Sequence, residues 1–188
     1  MRIVAGTFRG RPLVAPKGQS TRPTADRTRQ ALFNVLEHAA WSPGLDALRV
    51  IDLFAGSGAL GLEAISRGAG FCLFVEWGEA ARAAIHANAA ALGVAERTRI
   101  DRRDAAALGA RAAGDGPAFD LAFLDPPYGQ GLGDAALVRL AAGGWLAPGA
   151  VVALERGVGD PSPTPEGFSL LGARTWGAAR VSFFSYSP

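Results

Sequence analysis

The stretch FDLAFLDPPYGQG (residues 119–131) ends an apolar run at Asp125 and continues at once with Pro126, Pro127 and Tyr128. Two prolines fix φ and remove two backbone donors, which leaves a stiff loop presenting a carboxylate and carbonyls. A pocket rich in acceptors and poor in donors prefers an amine. The exocyclic amine of a nucleobase is a poor nucleophile, because its lone pair is delocalised into the ring. Asp125 and the Pro126 carbonyl can accept its two hydrogens and favour a pyramidal nitrogen whose lone pair faces an electrophilic methyl group. Tyr128, with Pro127 beside it, can stack on the base, an interaction worth about 1–3 kcal/mol. This chemistry needs neither a metal nor a covalent enzyme intermediate, since in-line alignment alone draws on about 7–11 kcal/mol in favourable systems. The leaving proton goes to Asp125 or through it to water.

A second constellation lies in DLFAGSGALGLEAISRGA (residues 52–69), where Gly56, Gly58 and Gly61 form a G-x-G-x-x-G array between an apolar run and a helical one. Glycines there let the backbone turn tightly and approach a ligand, while the helix N-terminus offers free N–H groups. Dinucleotide sites share this motif, and two features favour S-adenosylmethionine over NAD. Asp52 precedes the glycines, where a carboxylate suits an ammonium group and repels a diphosphate. Glu76 ends the next apolar run, LFVE, where an acid can accept from both ribose hydroxyls. Trp77 can lie against the adenine, and Asp104 can accept from its amino group, cap the AAALGA segment, or do both. The expected cofactor set is Asp52, Phe54, Ala55, Gly56, Ser57, Gly58, Gly61, Glu76, Trp77, Asp104, Ala105 and Asp125.

Positioning these groups requires a sheet. Short apolar runs (RVIDLF, GFCLFVE, RTRI, FDLAFLD, AVVALE) alternate with helical stretches expected at 59–66, 79–92, 105–112 and 134–142. Such alternation predicts a doubly wound, Rossmann-like α/β domain. Its mostly parallel sheet should have seven strands, closed by an antiparallel hairpin from FSLLGAR and ARVSFFSYS. Ligands of open parallel sheets bind beyond the carboxyl ends of the strands, so the glycine loop and DPPY belong at one mouth. Residues 1–44 read as a basic β-arm followed by a helix from Thr24 to about Ala40, capped by Thr24, and residues 45–188 as the catalytic domain.

The chain has 188 residues and a formal net charge of +2, unevenly spread. Arg2, Arg9, Arg11, Lys17, Arg22, Arg27 and Arg29 stand against Asp26 alone in the first 30 residues, so the remainder is net acidic. A basic segment on an acidic body suits a polyanion, because phosphate contacts gain affinity by releasing condensed counterions. The lone cysteine, Cys72 in FCLFV, reads as a buried structural thiol. No apolar run reaches the length of a membrane span and no signal-peptide pattern opens the chain, so a soluble cytoplasmic protein is expected. His38 and His86 read as structural or surface groups, and Trp41, Trp145 and Trp176 as packing or hairpin contacts. Glu155, after the fifth strand, reads as an acid that is either structural or supports the site from behind its contact residues.

These segments resemble the bacterial 16S rRNA guanine-N2 methyltransferases of the RsmD type. The likeness covers nearly the whole chain: RIVAGTFRGRPL, RPTADRTRQALFNVL, DLFAGSGALGLEAISRGA, FVE, Asn88 within HANAAALG, LDPPYGQG and GGWLAPGAVVALE. The glycine loop and DPPY are shared by many amino-methyltransferases, whereas RPTADRTRQALFN is more specific. The resemblance implies the class I S-adenosylmethionine-dependent methyltransferase type of this α/β fold. It also implies methylation of one guanine N2 in the P-site loop, on assembled or nearly assembled small ribosomal subunits, by a monomeric enzyme. Asp125, Pro126 and Tyr128 would form the catalytic set, and Thr24 and Arg27 would close over the cofactor. RNA contacts would come from Arg2, Arg9, Arg11, Lys17, Arg22, Arg29, Pro127 and Tyr128. Trp77 departs from the family, which usually carries a smaller or polar residue there. Methylation of adenine in DNA or of a protein glutamine is the nearest rival, and a non-catalytic nucleotide-binding RNA module the rival of a different class.

Overall fold

The computed structural model describes residues 1–16, 23–161 and 164–188. Lys17 and Arg22, together with the side chain of Thr24, lie outside the described residues. Among those residues seven strands form one sheet: β1 (Arg49–Leu53), β2 (Phe71–Val75), β3 (Thr98–Asp101), β4 (Phe119–Leu124), β5 (Leu146–Gly157), β6 (Phe168–Trp176) and β7 (Ala179–Tyr186). Their order is β3-β2-β1-β4-β5-β7-β6; β1 to β5 run parallel, and β7 pairs antiparallel with both β5 and β6. The expected parallel sheet with a closing hairpin is therefore the observed one.

The central strands are apolar on both faces because both faces are covered. Along β1, Val50 joins the cluster built with α1 (Pro23–His38), α2 (Ala59–Ser66) and α3 (Glu79–Leu92), whereas Ile51 and Leu53 join the cluster built with α4 (Leu132–Ala142). The two-residue pleat of a strand thus turns Asp52 to the same side as Val50, toward α2. α2 and α3 have the predicted bounds. α4 begins two residues before the predicted Asp134, after Gly131 in a left-handed conformation.

Two predicted elements differ. α1 begins at Pro23, a residue whose fixed φ suits the first helical position, so Thr24 stands inside the helix and not before it. The helix expected over residues 105–112 is instead a 3₁₀ turn at Ala105–Ala107, followed by irregular chain and a second turn at Ala113–Asp115. Alanine favours a helix, but a short segment without an apolar stripe has little tertiary packing to hold one. Here only Ala105 and Leu108 are buried, and the Arg111 N–H bonds the Gly143 carbonyl instead of a local one.

The N-terminal arm is docked on the body. Ile3 N–H donates to Arg11, Leu13 N–H to Met1, and an antiparallel bridge joins Arg2 to Pro12. Fully buried Glu63 of α2 accepts from the Val4 and Ala5 amides at 2.8 and 2.9 Å. Its carboxylate also pairs with Arg67 at 2.8 Å and Arg29 at 3.6 Å. Asn88 of α3 accepts from Val14 N–H and donates to the Val14 and Ser57 carbonyls, linking arm to glycine loop. Ile3 and Leu13 share one hydrophobic cluster with the sheet.

Candidate active site

β1 and β4 are neighbours, and the chain leaves them toward opposite edges of the sheet, which opens a crevice beyond their carboxyl ends. Leu53 and Leu124 are register partners, so the glycine loop and Asp125 emerge side by side. Gly58 holds φ +77°, a left-handed value, as the residue before α2. Gly61 serves packing: an added Cβ would lie 2.4 Å from Cys72 Sγ and from the Phe74 ring. Phe54 takes φ +59°, uncommon for a residue with a side chain and located at the loop tip.

Asp52 is 1% exposed and accepts from Gly61 N–H at 2.9 Å. Burial drives its carboxyl well above the usual range, the Gly61 bond opposes this, and the charges of Asp125 and Glu76 add to it. Glu76 follows β2 and bridges two loops, accepting from Gly56 N–H at 2.8 Å and Gly78 N–H at 2.7 Å. A cleft of about 410 Å³ opens over these groups. Phe54, Gly56, Glu76, Trp77, Asp104, Ala105 and Asp125 line it together with Pro126 and Pro127. Asp104 accepts from Ala106 N–H at 2.9 Å, the capping role foreseen for it, and still faces the cleft. Trp77 is 62% exposed, with the Arg102 guanidinium 4.9 Å from its ring. Of the other expected cofactor residues, Asp52, Ala55, Ser57 and Gly61 are buried behind the wall, and Arg27 is an exposed residue of α1 outside it.

Across Pro126 and Pro127 lies a second cleft of about 280 Å³, whose walls include Tyr128, Glu155 and Asp160. Of the two roles expected for Glu155, structural or supporting the site, the second matches its place at the mouth, because β5 runs past the end of β4: Leu124 pairs with Leu154, and the next residues are Asp125 and Glu155. The Tyr128 hydroxyl donates to Glu155 Oε1. Asp160 Oδ2 accepts from Gly157 N–H at 3.0 Å and Gly129 N–H at 3.3 Å, clipping the DPPY loop to the end of β5. The one available signal was that VVALE ends in a carboxylate just as AFLD does.

Surrounding protein raises Asp125 to about 7, with the Glu155 charge as the second cause. By surface area Asp125 is exposed. Both facts hold for a carboxylate on the floor of an open cleft, where walls displace most bulk water and the mouth still admits some. Burial also raises Glu155, against the Tyr128 hydrogen bond. The Tyr128 hydroxyl rises through burial and then through its bond to Glu155.

Arg2, Arg9 and Arg11 are exposed on the arm, and Arg11 reaches the Ala91 carbonyl at 2.7 Å. Arg29 corrects the expectation of an RNA contact. It is 5% exposed and held by Asp26 at 2.8 Å and by Glu63, because its position on α1 turns it into the body.

The family model for "Conserved hypothetical protein 95" matches residues 1–185. "Ribosomal RNA small subunit methyltransferase D" of Escherichia coli is 37% identical over 171 residues, 90% of this chain and 82% of that protein. The chain belongs to this family, the RsmD-type methyltransferases. The Haemophilus influenzae protein of the same name is 33% identical over 177 residues, 94% of this chain and 89% of its own. A solved E. coli structure, "Putative methyltransferase yhhF", covers 100% of this chain and 98% of its own, with TM-score 0.83 and 33% identity. No helix among the described residues is long and apolar enough to cross a membrane.

Proposed function

We propose that this protein methylates N2 of one guanine in 16S rRNA, in the P-site loop of an assembled or nearly assembled small ribosomal subunit. The observation that carries the reading is the meeting of two clefts at Pro126–Pro127, with Asp125 on one side and Tyr128 on the other. One cleft suits the cofactor and the other a splayed base, the form in which RNA loops are recognised. The names of the E. coli and H. influenzae relatives supply the small-subunit RNA.

The residues present fit S-adenosylmethionine. Glu76 offers two acceptors for a ribose diol, Trp77 and Asp104 flank the adenine end, and Asp52, buried behind the glycine loop, braces that loop by accepting from Gly61 N–H. Phe54, Gly56 and Ala105 complete the walls, while Ala55, Ser57, Gly58 and Gly61 shape the loop. Thr24 and Arg27 belong to a closing of the arm over this cleft. When bound, the cofactor supplies a methyl group activated by a sulfonium.

Asp125 and the Pro126 carbonyl orient the guanine amine, Tyr128 stacks on the base beside Pro127, and Asp125 directs the departing proton. Arg2, Arg9 and Arg11 meet RNA phosphates, with Lys17 and Arg22 continuing the same basic arm. In this reading the protein acts as a monomer in the cytoplasm.

Transfer of labelled methyl to small subunits lacking the modification, to naked 16S rRNA and to DNA tests this. Strong labelling of subunits supports it. Preference for DNA, or binding of NAD without S-adenosylmethionine, contradicts it.

A further inference from the structure

Within the base cleft, the stacking ring and a carboxylate are locked to one another. The Tyr128 hydroxyl donates a hydrogen bond to Glu155 Oε1, and the ring lies against Gly157, where an added Cβ would sit 3.4 Å from it. Asp160 ties the following amide, Gly129, to Gly157 N–H. The pair is therefore set before any base arrives. Glu155 lines the cleft one strand over from Asp125, and its carboxylate has Oε2 as a second acceptor besides the Oε1 that Tyr128 engages.

Two acceptors side by side match a particular edge. Guanine presents N2–H₂ and N1–H as adjacent donors, so a base with N2 at Asp125 brings N1–H toward the neighbouring carboxylate. Adenine and cytosine place a ring-nitrogen lone pair beside their exocyclic amine, and that lone pair would face a negative oxygen. We propose that Glu155 accepts the N1–H of the target guanine and thereby selects guanine, while its other oxygen holds Tyr128 for stacking. This rests on the guanine-N2 reading above and adds the residue that reads the base.

The decisive substrate is 2-aminopurine, which keeps the 2-amine but carries a lone pair at N1. Methyl transfer is measured on reconstituted small subunits carrying guanine or 2-aminopurine at the target, using wild type, Glu155→Gln and Tyr128→Phe. Wild type should favour guanine by about 10- to 100-fold in kcat/KM, the worth of a hydrogen bond to a charged group. Glu155→Gln can donate from its amide to N1 of 2-aminopurine, so the preference should fall to near unity with cofactor affinity retained. Tyr128→Phe should lose rate on both substrates and keep the preference. An undiminished preference in Glu155→Gln overturns the assignment. Wild type that transfers nothing to guanine overturns the guanine reading itself, a result distinguishable from the first.

Discussion

Asp125 and Glu155 stand side by side, one residue beyond the paired Leu124 and Leu154 of two adjacent parallel strands. Both carboxyls are raised by burial, and the charge of Glu155 further raises Asp125, to about 7. In the proposed reaction the ionised form of Asp125 receives the amine, so single-turnover methyl transfer should rise with pH through a limb near 7. Glu155→Gln removes the second cause and leaves the first, so the limb should move to lower pH without reaching the ordinary carboxylate range. A limb that stays in place would separate the two acids.

Stability carries the opposite sign. Between the ordinary carboxylate range and about 7, folded Asp125 holds a proton that the unfolded chain has released. Stability should therefore decline as pH rises across that window. Denaturant melts of wild type and Asp125→Asn over this range should show a slope in the first that is flatter in the second.

Removing the carboxylate isolates its role. Asp125→Ala should lower transfer by about 10²- to 10⁴-fold, the scale of a positioned proton-handling group. Calorimetry should show S-adenosylmethionine affinity little changed. Undiminished turnover would refute the role.

The buried hub and the exposed arm should respond differently. Glu63→Ala removes one of two carboxylate partners from Arg29, which keeps Asp26, and from Arg67, which keeps Glu37. It also leaves the Val4 and Ala5 amides without their acceptor, and the change should cost about 3–5 kcal/mol in denaturant unfolding. Neutralising exposed Arg9 and Arg11 should leave stability nearly unchanged and reduce the salt slope of RNA binding by roughly one unit per lost phosphate contact. An unchanged slope would remove these two residues from the binding surface.

Much of this architecture was legible because strand and helix periods were clean. FCLFV is a continuous apolar run, as a strand buried on both faces should be, RVIDL is apolar except for Arg49 at its start and Asp52 beside the site, and α2 and α3 follow glycines at Gly58 and Gly78. AAALGARA misled because composition speaks for propensity alone, while the Arg111 and Gly143 backbones pair across the chain. Arg29 misled because a charge count carries no direction; only the turn of α1 shows it pointing at Glu63. Glu155 was hidden by register, since no sequence period states that Leu154 stands beside Leu124.

The identity of the methylated nucleoside bears most directly on the central claim. Small subunits lacking the modification are incubated with the enzyme and labelled S-adenosylmethionine, and their RNA is digested to nucleosides and separated. Label running with N2-methylguanosine is the predicted result. Label on any other position of guanosine, or on adenosine, would contradict it.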